Sequence, residues 1–300
     1  MSCFQEKSFH IVLFNQVLIP LLNLGGNREM KKVLLAVLVL LVSIAFAGTS
    51  FAAKKKGYVA GTAGAGSITG VVSLKGAAPA PIMEDLNKGK NVDFCKTHPD
   101  TKEGGIRPRT KVIATGGKLS DTVVFIEKID GGKPWGDFGK ASYDFKLCDI
   151  TQKVLAVRKP TKAEKKTGGI LTITNQDADI LHNPHGYSVS GASRKTLFNK
   201  PLPSQGDVAE VTKNIARLKQ KKDKHFFLQC DQHNFMEADA RFVWNPYYSI
   251  TGADGAFKIE GIPAGKYKLT AWHPYVGETT QEVTVAAGAA KADFTLAAAK

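Results

Sequence analysis

Cys230-Asp231-Gln232-His233-Asn234-Phe235-Met236 places a thiol, an imidazole and a thioether at intervals of three residues. A second imidazole, His182, stands upstream in Asp179-Ile180-Leu181-His182-Asn183. Two imidazoles and a thiolate bind copper well in a trigonal plane. A thioether above that plane is a weak axial ligand that helps to set the potential, so this donor set is that of a blue-copper electron-transfer centre. The expectation is one type 1 copper held by His182, Cys230, His233 and Met236. Asn183 would tie the two ligand loops together, with His185, Asn234 and Phe235 at the rim or behind the ligands. Zinc also accepts Cys and His but has no special use for the thioether.

The elements that must position these residues read as short strands. His225–Cys230 is β-rich and ends on the first residue of the loop. Ile68–Leu74, Lys111–Thr115, Val123–Ile129, Lys153–Val157 and Gly169–Asn175 are further β-prone runs, punctuated by Gly116-Gly117 and Gly131-Gly132. Residues 82–105 read as a long loop carrying Cys95. Val208–Gln220 fits either a short helix or a strand with a connection. After residue 248, Phe257–Ile259, Tyr267–Trp272, Thr280–Val285 and Ala292–Leu296 alternate with turns and make a small antiparallel module. Many short strands and no long helix indicate an all-β sandwich.

The chain has 300 residues, enough for about two domains. Met30-Lys31-Lys32, the apolar run Val33–Ala47 and the small residues up to Ala53 have the three parts of a signal peptide. The expected organisation is an upstream, mis-assigned start over residues 1–29 and a signal peptide over 30–52. A flexible linker over 53–67 follows, then a copper domain over 68–247 and the small β-module over 248–300. Without the signal, no stretch is apolar and long enough to span a bilayer, and a periplasmic or otherwise extracytoplasmic location is expected. An uncleaved N-terminal anchor is the alternative.

Cysteine usage agrees with export. Cys95, Cys148 and Cys230 remain after the signal, and an odd count marks one thiol with a separate task. A Cys95–Cys148 disulfide would leave Cys230 free; the alternative is three unpaired thiols. The formal charge is +14. Much of the excess sits in Lys54–Lys56, Lys162–Lys166 and Lys219–Lys224, a field that attracts acidic partners or anionic surfaces. No nucleic-acid motif accompanies the lysines. No phosphate cradle, dinucleotide fingerprint or nucleophile–base arrangement points to an enzyme.

The motif Cys230-x-x-His233-x-x-Met236, with His182-Asn183 upstream, resembles the cupredoxin superfamily, and its short loop is most similar to the amicyanin or plastocyanin type. The wider stretch resembles exported methylamine-utilisation-like proteins. Pro246-Tyr247, Gly255, Phe257, Pro263, Gly265, Tyr267, Trp272 and His273 resemble their tail, which is itself similar to carboxypeptidase-regulatory-like or transthyretin-like modules. Asn234-Phe235 departs from the Pro-Trp common in that group, which removes a stiffening proline beside the ligands. The resemblance implies a Greek-key cupredoxin fold that carries single electrons. Electrons would pass at the His233 edge to an acidic redox protein such as a cytochrome or copper oxidase, with peripheral membrane contact possible. The competing expectation is a non-redox β-sandwich binding or structural module, with a degenerate or zinc site, or a copper storage or delivery protein.

Overall fold

The computed structural model describes residues 57–297. The upstream-start and signal-peptide assignments lie outside these residues. The described chain is mostly strand, and its helices are single turns such as Val92–Cys95, Glu164–Thr167 and Asn214–Arg217.

One sandwich carries the ligand loop. Its five-stranded sheet runs Val154–Arg158, Glu237–Val243, His225–Cys230, Pro184–Ser190 and Ser193–Asn199. Val154–Arg158 lies parallel to its neighbour, and the other pairs are antiparallel. A three-stranded sheet of Val208–Glu210, Leu171–Asn175 and Ala141–Phe145 shares its core. Tyr143, Phe145, Ile173, Phe226, Leu228 and Phe242 are all buried there. In Glu237–Val243, Ala238, Ala240 and Phe242 face this core, as the two-residue side-chain period of a strand requires.

A second sandwich draws on both ends of the described chain. Gly66–Lys75 pairs with Ala256–Ile262, Gly288–Lys291 and Phe294–Ala297. Val123–Ile126 pairs with Tyr248–Ile250 and Gly265–His273, and Gly277–Val285 extends that sheet. The expected division at residue 247 therefore does not separate the two cores. Ile68, Val72, Val124 and Ile126 share one buried cluster with Phe257, Ile259, Leu269 and Phe294. The physical reason is Gly66–Lys75 itself, whose buried side chains need the C-terminal strands as their cover.

Val123–Ile126 is buried on both faces. Val124 and Ile126 enter the second core, while Val123 and Phe125 meet Val154, Ala156, Val243 and Trp272 of a third cluster. That cluster joins the two sandwiches back to back. Buried charges line the same junction: Arg241 stacks over Phe125 and Trp272 and pairs with Glu278, and Asp239 accepts from Tyr275.

The flexible linker expected over 53–67 is tied down from residue 58. Tyr58 packs edge-on against Trp135 and Tyr247 and bonds the Lys133 carbonyl, and Val59–Ala60 pairs with Gly131–Gly132. The ambiguous 208–220 stretch is a short strand followed by a 3-10 turn at Asn214–Arg217. The 82–105 loop contains a hairpin strand, Ile82–Asp85, that pairs with Ile106–Arg109.

Candidate metal centre

Cys230 closes the His225–Cys230 strand opposite Pro184. The loop beyond it folds back through three main-chain bonds: His233 N–H to the Cys230 carbonyl at 3.3 Å, Met236 N–H to the His233 carbonyl at 2.9 Å, and Cys230 N–H to the Met236 carbonyl at 3.1 Å. Asp231 N–H donates to the Asn183 carbonyl at 3.0 Å, joining this loop to the one bearing His182. His182 is itself fixed by a two-bond bridge with Leu202.

These ties bring three donors together. Cys230 Sγ lies 3.6 Å from His182 Nδ1 and 3.7 Å from His233 Nδ1. All three side chains are buried, with His233 only 1% exposed. The Asn183 main-chain N–H donates to the Cys230 sulfur at 3.4 Å. Burial alone would push the Cys230 thiol up, but the two imidazoles and the Asn183 N–H reverse that and lower it to about 6.

Each imidazole is oriented by its outer nitrogen. His182 Nε2–H donates to Asp177 Oδ2 at 2.9 Å, and His233 Nε2–H donates to Asn91 Oδ1 at 3.1 Å. Both bonds leave Nδ1 free to face the sulfur. Asp177 also accepts from the Leu147 and Cys148 main-chain N–H groups at 2.6 and 3.0 Å. Burial would raise its carboxyl, but His182 and these two amides hold it below the usual carboxylate range. Burial would lower His182, and Asp177 and Cys230 raise it instead.

Cys95 and Cys148 form a disulfide, and Cys230 is the free cysteine among the described residues. The disulfide sulfurs also lie close to His233. Phe235 packs against the His233 ring and is covered in turn by the Arg107 guanidinium, 4.8 Å from the ring centre.

The structure corrects the type 1 copper expectation and, with it, the blue-copper electron-carrier function. The donors that converge are His182, Cys230 and His233. Met236 is buried in the core of the sandwich, and no Met ligand is seen with these donors among the described residues. The other sulfurs beside His233 belong to Cys95 and Cys148, which the disulfide prevents from acting as thiolates. The two-His, Cys and Met set of an electron-transfer copper is thus not assembled. The expected electron route also fails, because the His233 edge meets Asn91 and Phe235 rather than solvent.

Of the neighbouring residues, Asn183 bridges the loops through its main chain, and its Oδ1 is buried without a partner. His185 faces outward on Pro184–Ser190, stacked on Tyr187 at 4.1 Å and bonded to Asp231 and Thr196. Asn234 is exposed, and its carbonyl accepts from Gln229. His225 is half-buried and bonded to Asp239. Sequence reasoning missed Asn91 and the role of Asp177. Asp177 lies five residues before His182, a local signal; Asn91 is 142 positions from His233 and carries none.

A family model described as polysaccharide lyase family 4, domain II, matches residues 243–292. No curated protein matches the chain. Among solved structures, a methionine-to-alanine variant of amicyanin in its Cu(I) form is similar at 14% identity and a TM-score of 0.25, over 35% of this chain and 83% of that one. A reduced tryptophan-to-tyrosine variant of amicyanin is similar at 15% identity and 0.25, over the same shares. A copper-containing nitrite reductase from Thermus scotoductus is similar at 14% and 0.24, over 35% of this chain and 22% of that one. The chain thus has a distant, partial similarity to cupredoxin-fold proteins of the amicyanin kind.

Proposed function

We propose that this chain is a non-redox, metal-retaining β-sandwich protein whose His182, Cys230 and His233 hold one zinc ion. The observation that carries this reading is a convergent three-donor cluster, with every donor buried and both outer imidazole nitrogens already bonded. Zinc takes thiolate and imidazole ligands without any need for a thioether, and three protein donors leave its fourth tetrahedral position to water or another ligand. Once bound, zinc would cross-link the His182 loop to the Cys230 loop. The lowered Cys230 thiol favours the thiolate that the ion requires.

The sandwich around the site is read as a cupredoxin-like arrangement turned to metal retention, and the strands after residue 248 as its scaffold. A partner, where one docks, is acidic. That reading is supported by the net charge of +14 and by a cleft lined by Lys195, Lys213 and Arg217.

The test is metal analysis of the purified full chain, followed by zinc and Cu(I) titrations against chromophoric chelators. One tightly held zinc per chain, lost in Cys230→Ser, is expected. Preferential Cu(I) binding would move the reading to copper storage or delivery. No stoichiometric metal, or an intense visible band with Cu(II) that bleaches and returns reversibly, would overturn it.

A further inference from the structure

The two outer hydrogen bonds of the candidate centre meet at one covalent link. Asn91 holds His233 Nε2, and Asn91 starts the helical turn Val92–Cys95, whose Cys95 N–H bonds the Asn91 carbonyl at 2.9 Å. Asp177 holds His182 Nε2, and Asp177 is itself held by the main-chain N–H of Cys148. Cys95 and Cys148 are joined to each other. The pairing therefore connects the support of one imidazole to the support of the other across 53 residues of sequence.

The backbone on both sides is unusual in the same way. Asn91, Leu147 and Cys148 all have left-handed φ, at 51°, 53° and 52°. Such positions are held by their surroundings and relax when a constraint is lost. Lys90 Nζ reaches Gln232 Oε1 at 2.7 Å, so the 90–95 segment also braces the ligand loop directly.

We infer that the Cys95–Cys148 disulfide is a positioning lock for the metal centre, acting through Asn91 on His233 and through Asp177 on His182. The inference rests on the proposed metal-binding reading. With the link closed, both rings are fixed with Nδ1 toward Cys230. Reduction by a dithiol transfers two electrons to the sulfurs; Cys95 and Cys148 each take a proton, and the dithiol leaves as its own disulfide. The 90–95 segment is then free to withdraw Asn91, and the 147–148 amides to release Asp177. Loss of such outer partners weakens metal sites by about 10–100-fold.

The experiment uses the full chain and zinc, with affinity read by chelator competition and fold by circular dichroism. Asn91→Gly removes the carboxamide but suits the left-handed backbone, whereas Asn91→Asp keeps an acceptor for His233. The glycine variant is expected to bind zinc about 10–100-fold more weakly and the aspartate variant within a few-fold of the parent. Dithiol reduction of the folded parent should weaken binding by a similar factor. It should do less in Asn91→Gly, because the two changes share the Asn91–His233 hydrogen bond and reduction then acts only through Asp177. Equal affinity in Asn91→Gly and the parent overturns the inference, whether or not the reduced chain stays folded. So does full additivity of reduction and substitution in folded protein. An oxidised parent that binds no zinc overturns the metal-binding reading itself, a separate result.

Discussion

At the scale of single residues, protons set the behaviour of both buried sites. Zinc requires the Cys230 thiolate and two neutral Nδ1 atoms, so binding releases protons. With the thiol lowered to about 6, retention of zinc should be insensitive to pH near neutrality and fall steeply below about pH 6. Dialysis against a chelator across that range measures it; unchanged retention at pH 5 would argue against a thiolate ligand. His273 is a different case. It is buried beside Tyr275, and burial lowers it from 6.5 to about 4. A histidine with a depressed folded value adds stability above its unfolded value and loses it as pH falls through the folded one. Stability should therefore decline from pH 6.5 to about 4, by up to ~3 kcal/mol at 1.36 kcal/mol per unit. His273→Gln should flatten that slope in urea titrations. An identical slope in the variant would remove His273 as its source.

At the scale of elements, the ligand loop is only as rigid as the strand that launches it. His225–Cys230 alternates between two packing environments: Phe226, Leu228 and Cys230 face the core, while His225 packs edge-on to Trp272 and Phe227 lies under Arg194. Phe226 is fully buried against Tyr143, Phe198 and Phe242. Phe226→Ala should cost about 3–5 kcal/mol through lost burial and the cavity left behind. Denaturant unfolding tests this, and a loss under 1 kcal/mol would mean that the core collapses around the gap. The His225–Cys230 strand was legible in the sequence because Phe226, Phe227 and Leu228 make a short apolar, aromatic run that leads to the cysteine. Pro184–Ser190 and Ser193–Asn199 were not. Their histidine, glycine, serine and lysine content does not suggest strands, and pairing with His225–Cys230 and with each other decides the matter.

At the scale of the whole molecule, the order of the chain is not the order of the cores. Gly66–Lys75 is covered by strands from the other end, and the third cluster welds the two sandwiches together. A chain ended at residue 247 should therefore lose cooperative folding, exposing Ile68, Val72 and Val124. Its thermal melt should be broad and its protease resistance low. A sharp melt would show that the first 247 residues stand alone. No helix among the described residues is long and apolar enough to cross a membrane.

The sequence by itself determined the strand-rich character, the C-terminal strands after residue 255, and the Cys230 loop with His182 as its distant companion. These are properties of local composition and short spacing, which side-chain period and turn chemistry express directly. Tertiary structure decided the rest. Whether a thioether reaches a site depends on the path of a buried loop, and Met236 is fully buried in the core cluster. Whether His233 meets solvent depends on a segment 142 positions away, because Asn91, four residues before the disulfide-bonded Cys95, lies against its ring. Contacts of that range leave no periodic trace in the chain, since they come from the packing of whole elements rather than from the residues beside them.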